Sequence, residues 1–194
     1  MATFRLAVLA SGRGSNLKAL LDAIQAGTLP AEVVGVFGDK QSAGALEIAR
    51  SAGIPAHCFS PRSFPDRTSF DRALFAAVDA CAPDLIVLAG FMRILSPDVV
   101  AARPGRLINI HPSLLPKYPG LHTHQRALEA GDTEHGATVH WVTADLDAGP
   151  VIAQARLAIG PADTAETLAA RLLPLEHELL VRVVSTIASR TDRC

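Results

Sequence analysis

Asn109 and His111 stand two residues apart at the end of an apolar run, "RLINIH", just before Pro112. In a strand, residues i and i+2 point to the same side, about 6–7 Å apart. An Asn amide can donate to a developing oxyanion, and a His can act as acid, base or cationic donor. The other reading of the pair is local: Asn109 satisfies loop backbone and His111 caps the turn. Pro112, Pro116 and Pro119 stiffen the segment that follows, which favours a fixed site. Further on, His140, Asp145 and Asp147 surround the turn "TADLDAGP". Two carboxylates there can hold a histidine charged or relay a proton, or they can simply be turn residues. Spacing alone does not pair Asp147 with His111. A third cluster, "SGRGSN" from Ser11 to Asn16, reads as a strand-to-helix turn. The amides of Gly14, Ser15 and Asn16 at a helix N-terminus suit an anion, with phosphate the natural guest. The alternative is a tight turn and nothing more, because the pattern is neither G-x-G-x-x-G nor a P-loop.

The elements that must position these residues alternate. "FRLAVLA", "EVVGVFG", "AHCF", "DLIVLAG" and "RLINI" read as strands. Between them lie helical segments. The first carries Leu17, Leu20, Leu21 and Ile24 on one face, with Ser15 or Asn16 as its expected cap. Another runs from Asp66 to Cys81 with Phe70, Leu74, Phe75 and Val78 on one face. This order predicts an α/β fold: an open, mostly parallel twisted sheet with helices on both faces. "GATVHWVTA" and "GPVIAQARLAI" then predict an antiparallel strand extension. The tail is helical, with Asp163 and Glu166 at capping-box spacing and Pro174 predicting a kink or two helices.

Composition narrows the functions. The 194 residues suit a single domain, and 49% hydrophobic residues can fill a sizeable core. A net charge of −1 argues against nucleic acid and anionic membranes as partners. The start is too short in its apolar part for a signal peptide, and no run is long enough to span a bilayer. Cys58, Cys81 and Cys194 are scattered and odd in number, which fits a reducing cytoplasm better than a disulfide framework. Five of the seven histidines fall between His111 and His140. His122-Thr-His124 lacks the nearby cysteines or H-E-x-x-H helix of a zinc site, so the expectation is no metal. Cys58, Cys81, Phe91 and Trp141 read as packing residues.

"LASGRGSNL", "LAGFMRILS", "NIHPSLLPKYPGLHTHQRALEAGDTEHGATVH" and "DLDAGPVI" together resemble the phosphoribosylglycinamide formyltransferase family, the folate-dependent transformylases of purine synthesis. The similarity runs in order along almost the whole chain. It implies a Rossmann-like formyltransferase fold in one domain, 1–194: a nucleotide and phosphate half over 1–110, then catalytic loop, folate half and terminal helix over 111–194. It implies formyl transfer from 10-formyltetrahydrofolate, as co-substrate, to the amine of glycinamide ribonucleotide, with no metal. By the same resemblance Asn109, His111 and Asp147 are catalytic, and Gly14, Ser15, Asn16 and Glu176 bind the ribonucleotide. Arg67, Met92, Arg93, Ile94, Leu95, Thr143 and Asp145 fall at folate-contacting positions, and His122 and His140 at supporting ones. Pro174 departs from the family's usual polar residue near Glu176. A monomer or homodimer is expected. The rival readings are a formyltetrahydrofolate hydrolase, a formyltransferase for another amine (including a methionyl-tRNA formyltransferase half) and a non-enzymatic nucleotide-binding module. The hydrolase would normally carry an extra N-terminal regulatory domain, whereas strand one here is expected to begin at about residue 4; the tRNA enzyme would normally carry a C-terminal RNA-binding domain, which 194 residues are not expected to hold.

Overall fold

The structure is a computed structural model and describes residues 3–191; Cys194 lies outside them. Seven strands form one sheet: β1 (Phe4–Leu9), β2 (Ala31–Gly38), β3 (Ala56–Cys58), β4 (Leu85–Leu88), β5 (Leu107–His111), β6 (Glu134–Trp141) and β7 (Val151–Ala158). Their spatial order is β3-β2-β1-β4-β5-β6-β7. The first five are parallel, while β6 runs antiparallel to β5 and β7 antiparallel to β6. The helices are α1 (Ser15–Gln25), α2 (Gly44–Ser51), α3 (Arg67–Ala80), α4 (Pro97–Ala101), α5 (Thr123–Glu129) and α6 (Ala165–Thr191). No helix among the described residues is long and apolar enough to cross a membrane.

The period of two in the strands divides the core between the two faces. Leu6 and Val8 of β1 join Leu85 and Val87 of β4 against α1, α2 and α6. Ala7 and Leu9 join Ile86 and Leu88 against α3 and α4. Both faces are therefore covered, which is why these strands are apolar without alternation. Helix α6 alone buries Leu172, Leu179, Leu180, Val183 and Val184, each worth about 1.5–3 kcal/mol as transferred side-chain area.

Three local expectations are corrected. Helix α1 is capped by neither Ser15 nor Asn16: its N-cap is Gly14, left-handed at φ 83°. Only glycine adopts that angle freely. A Cβ there would also lie 2.6 Å from the Ala45 Cα, so the missing side chain is needed for α2 to approach. Helix α6 is continuous through Pro174 rather than two helices. Proline removes one backbone donor, but Pro174 lies on the exposed side while the apolar stripe holds the helix down. The box at the start of α6 is shifted by one residue. Thr164 and Thr167 exchange backbone-to-hydroxyl bonds of 2.8 and 3.3 Å. Asp163 instead accepts from the Gly160 N–H at 2.7 Å and pairs with Arg171.

Candidate functional site

The carboxyl end of β5 and the β6–β7 turn build the site. Register places Asn109 opposite His140 and His111 opposite Thr138. Asn109 Nδ2 lies 3.2 Å from His140 Nε2 and 3.4 Å from Asp147 Oδ1. His111 Nδ1 is 3.4 Å from Asp147 Oδ2, with both side chains only 8% exposed. The sequence left this pair open; the turn closes it. Asp147 takes a left-handed φ of 51° there. Two residues on, a Cβ at Gly149 would overlap the Trp141 carbonyl oxygen, so glycine is required for the return into β7.

The hydrogen bonds fix tautomers. His140 Nδ1 sits 2.9 Å from the Trp141 carbonyl, which can only accept, so Nδ1 carries the proton. In the neutral ring Nε2 is then free to accept from Asn109, whereas a ring protonated at both nitrogens turns Nε2 into a donor toward Asp147 Oδ1, 3.6 Å away. His111 Nε2 is 2.9 Å from the Tyr118 carbonyl and must donate to it. Its other nitrogen faces a carboxylate, so both ring positions look onto acceptors, the arrangement an imidazolium satisfies. Burial works against the Asp147 charge. The His140 contact, a 2.8 Å bond from the Gly120 N–H and the nearby His111 charge outweigh it, and the carboxyl is held below its usual range.

The segment after His111 is held by more than its prolines. Thr138 Oγ1 donates to the Ser113 carbonyl at 2.7 Å and accepts from Leu115 N at 3.1 Å and Gln154 Nε2 at 2.9 Å. Gln154 Nε2 also reaches the Leu115 carbonyl at 2.9 Å. Leu114 and Leu115 are buried and so pack inward. Thr123 Oγ1 donates to the Pro112 carbonyl at 2.6 Å. His135 and His124, 3.0 Å apart between ring nitrogens, are both pushed toward the neutral form by burial, His135 to about 4. Thr138, Gln154 and His135 carried no sequence signal beyond ordinary strand composition.

A cavity opens beside Asn109. Arg93, Ile94, Leu95, Thr143, Asp145 and Asp147 line it, with His140 and Phe91 behind. Buried Asp71 anchors one wall by accepting from both Ser96 N and Ser96 Oγ at 2.7 Å. Of the expected folate positions, Met92 is 64% exposed and Arg67, at the start of α3, is also exposed. Neither lies in this lining. His122 is exposed and serves as the left-handed N-cap of α5. Among the described residues no group of three or more His, Cys, Asp or Glu is spaced to hold a metal ion.

The Ser11–Asn16 turn occupies the end of β1. Ser11 Oγ accepts from Met92 N at 2.9 Å, which ties this turn to the cavity wall. Gly12 faces open space. The first amides of α1 have no intrahelical partner, as at any helix start. Glu176 of α6 reaches the same place. Burial pushes its carboxyl up to about 7, although a bond from the Asn16 side chain and the Arg13 charge pull it down. Pro174 therefore does not carry Glu176 away from the turn.

A formyl transferase family model matches residues 4–184. The phosphoribosylglycinamide formyltransferase of Escherichia coli K12 is 50% identical over 183 residues, spanning 94% of this chain and 86% of that protein. That of Haemophilus influenzae is 43% identical over 180 residues, 93% of this chain and 85% of that one. Among solved structures, the Coxiella burnetii phosphoribosylglycinamide formyltransferase in complex with CHES superposes with a TM-score of 0.93. It is 51% identical and covers 97% of this chain and 88% of its own.

Proposed function

The chain belongs to the formyl transferase family and is an enzyme of its phosphoribosylglycinamide formyltransferase branch; from this premise we propose that 10-formyltetrahydrofolate is the donor and that Asn109, His111 and Asp147 carry the transfer to glycinamide ribonucleotide. One observation carries the reading: Asn109, His140 and Asp147 line one cavity, and His111 meets Asp147 beside it.

The neutral amine attacks the formyl carbon. A new C–N bond forms while the carbonyl electron pair moves onto oxygen. Both Asn109 N–H groups are engaged before substrate binds, one by His140 and one, at 3.4 Å, by Asp147. The longer bond is the weaker, and its hydrogen turns to the developing oxyanion. Cationic His111 adds charge-assisted stabilisation, and Asp147 favours that cation. The proton of the attacking nitrogen passes to the folate nitrogen, directly or by water at Asp147, and the C–N bond to folate breaks. No covalent enzyme intermediate is needed.

The ribonucleotide phosphate belongs on the amides of Gly14, Ser15 and Asn16, with Glu176 toward the sugar. Arg93, Ile94, Leu95, Thr143 and Asp145 form the folate wall, while Met92 and Arg67 serve the outer part of the donor. His140 orients Asn109, and His122 shapes the start of α5. The whole chain acts as one domain, a monomer or homodimer in the cytoplasm.

The test is to mix pure protein with donor and acceptor and follow deformylated folate and formylated ribonucleotide. Asn109→Ala is expected to lower turnover by about 10²–10³-fold while ribonucleotide affinity holds. An equal loss in binding with turnover intact contradicts the assignment. Formate released without acceptor indicates a hydrolase, and no turnover at all indicates a binding module.

A further inference from the structure

His111 is held by a segment that is itself held from outside the site. Its Nε2 donates to the Tyr118 carbonyl at 2.9 Å. Two residues on, the Gly120 N–H donates at 2.8 Å to Asp147 Oδ2, the oxygen that faces His111 Nδ1. The stretch from Tyr118 to Gly120 thus braces both members of the pair. Tyr118 turns its carbonyl inward at a left-handed φ of 55°. That backbone is unfavourable for any residue with a Cβ, and it persists only where surrounding contacts over-determine it.

The Tyr118 side chain supplies those contacts. Its hydroxyl donates to Asp132 Oδ2 at 2.8 Å, and its ring centre lies 5.2 Å from the Arg126 guanidinium carbon. Arg126 also donates to the Pro119 carbonyl at 2.6 Å. Asp132 sits between α5 and β6, with its own N–H on the Ala127 carbonyl at 3.1 Å, so the helix rather than the loop fixes its place. Lys117 Nζ takes its other oxygen at 2.9 Å, but the lysine side chain is 55% exposed. Such an ion pair contributes little, which leaves the hydroxyl bond as the tether. We propose that Asp132 is a positioning residue for the transfer: through the Tyr118 hydroxyl it sets the backbone that holds the His111 ring, without touching substrate. The inference rests on His111 taking part in the transfer. A carbonyl aimed at Nε2 keeps a proton there and fixes the ring plane, and catalysis is sensitive to such placement.

The test is a double-mutant cycle in the full chain. Tyr118→Phe and Asp132→Ala are each expected to lower kcat about tenfold, with both KM values within about twofold of wild type. Combined, they are expected to lose no more than either alone, because both cut one tether. Asp132→Asn keeps an oxygen for the hydroxyl and is expected to restore most of the rate. In NMR of histidine-labelled protein, the His111 Nε2–H signal is identified by its absence from His111→Asn. It is expected to be sharp in wild type and broadened by exchange with water in Tyr118→Phe. Losses that multiply in the double variant overturn the inference. An unchanged kcat in Tyr118→Phe, a loss confined to KM, or an Nε2–H signal equally sharp in both proteins does the same and leaves formyl transfer intact. A wild type that forms no formylated ribonucleotide fails the transfer reading itself and takes the inference with it.

Discussion

Asp147, in the β6–β7 turn, and Glu176, in α6, are two half-buried carboxylates, and they ionise in opposite directions. Burial raises the pKa of both. Asp147 receives His140, the Gly120 N–H and the His111 charge, and these together win. Glu176 receives the Asn16 side chain and the Arg13 charge, and these do not; its carboxyl stays at about 7. Burial alone therefore does not decide the charge of an acid. The number of donors aimed at it does. The β6–β7 turn holds a fixed anion, whereas α6 beside the Ser11–Asn16 turn holds an acid that titrates near neutrality.

Removing the fixed anion gives the largest effect. Asp147→Asn keeps the shape but removes the charge that favours cationic His111. Turnover is expected to fall by about 10³-fold or more, with little change in ribonucleotide affinity. Calorimetric binding beside steady-state rates tests this, and a loss confined to affinity would break the contrast.

Removing the titrating acid changes stability more than folding competence. The folded Glu176 pKa lies above the ordinary 4.5. Its contribution is thus fully present below about pH 4.5 and is lost as pH rises through about 7. Glu176→Gln is expected to flatten the ligand-free stability profile between pH 5 and 8. Above pH 7 it should be more stable than wild type by about 1–3 kcal/mol in urea titrations. Asp147 has the opposite sign: its contribution is present above the ordinary carboxylate pKa of 3.8 and is lost as pH falls below it. Parallel pH profiles for the two variants would show that the distinction is mistaken.

A smaller effect comes from Thr138→Val. It strips the Ser113 carbonyl and the Leu115 N–H of their shared partner, at a cost of about 1–3 kcal/mol. The expected result is a lower Tm and weakened placement of the His111–Gly120 wall. The smallest is Asn16→Ala, which removes the main group pulling the Glu176 pKa down. Its titration midpoint, read by carbon NMR of the carboxyl, should move to higher pH.

Much of the fold was legible because it is local. The apolar strands and the face of Phe70, Leu74, Phe75 and Val78 follow from periods of two and 3.6. Asn109 and His111 were legible as a same-side pair for the same reason. Their partners were not. Asp147 lies 36 positions after His111, and His140 meets Asn109 only through β5–β6 register. Pair distances across a sheet are set by the whole fold rather than by spacing. The Gly14 cap was misread because Ser15 and Asn16 have the better capping side chains, yet the chain needs a positive φ one residue earlier. Thr138 and Asp132 carried no signal, since a Thr in a strand and an Asp between a helix and a strand are common for many reasons.

The close approach at Gly149 has a consequence for reading mutational scans of this chain. Any side chain there collides with the Trp141 carbonyl and displaces the turn that holds Asp147. In a growth-selected library this position should therefore score as intolerant as Asp147, the acid proposed to be catalytic, although it has no functional group to offer a substrate. A ranking by tolerance alone would list it among the chemical residues. Purified variants that fold yet bind ribonucleotide normally would tell the scaffold from the chemistry.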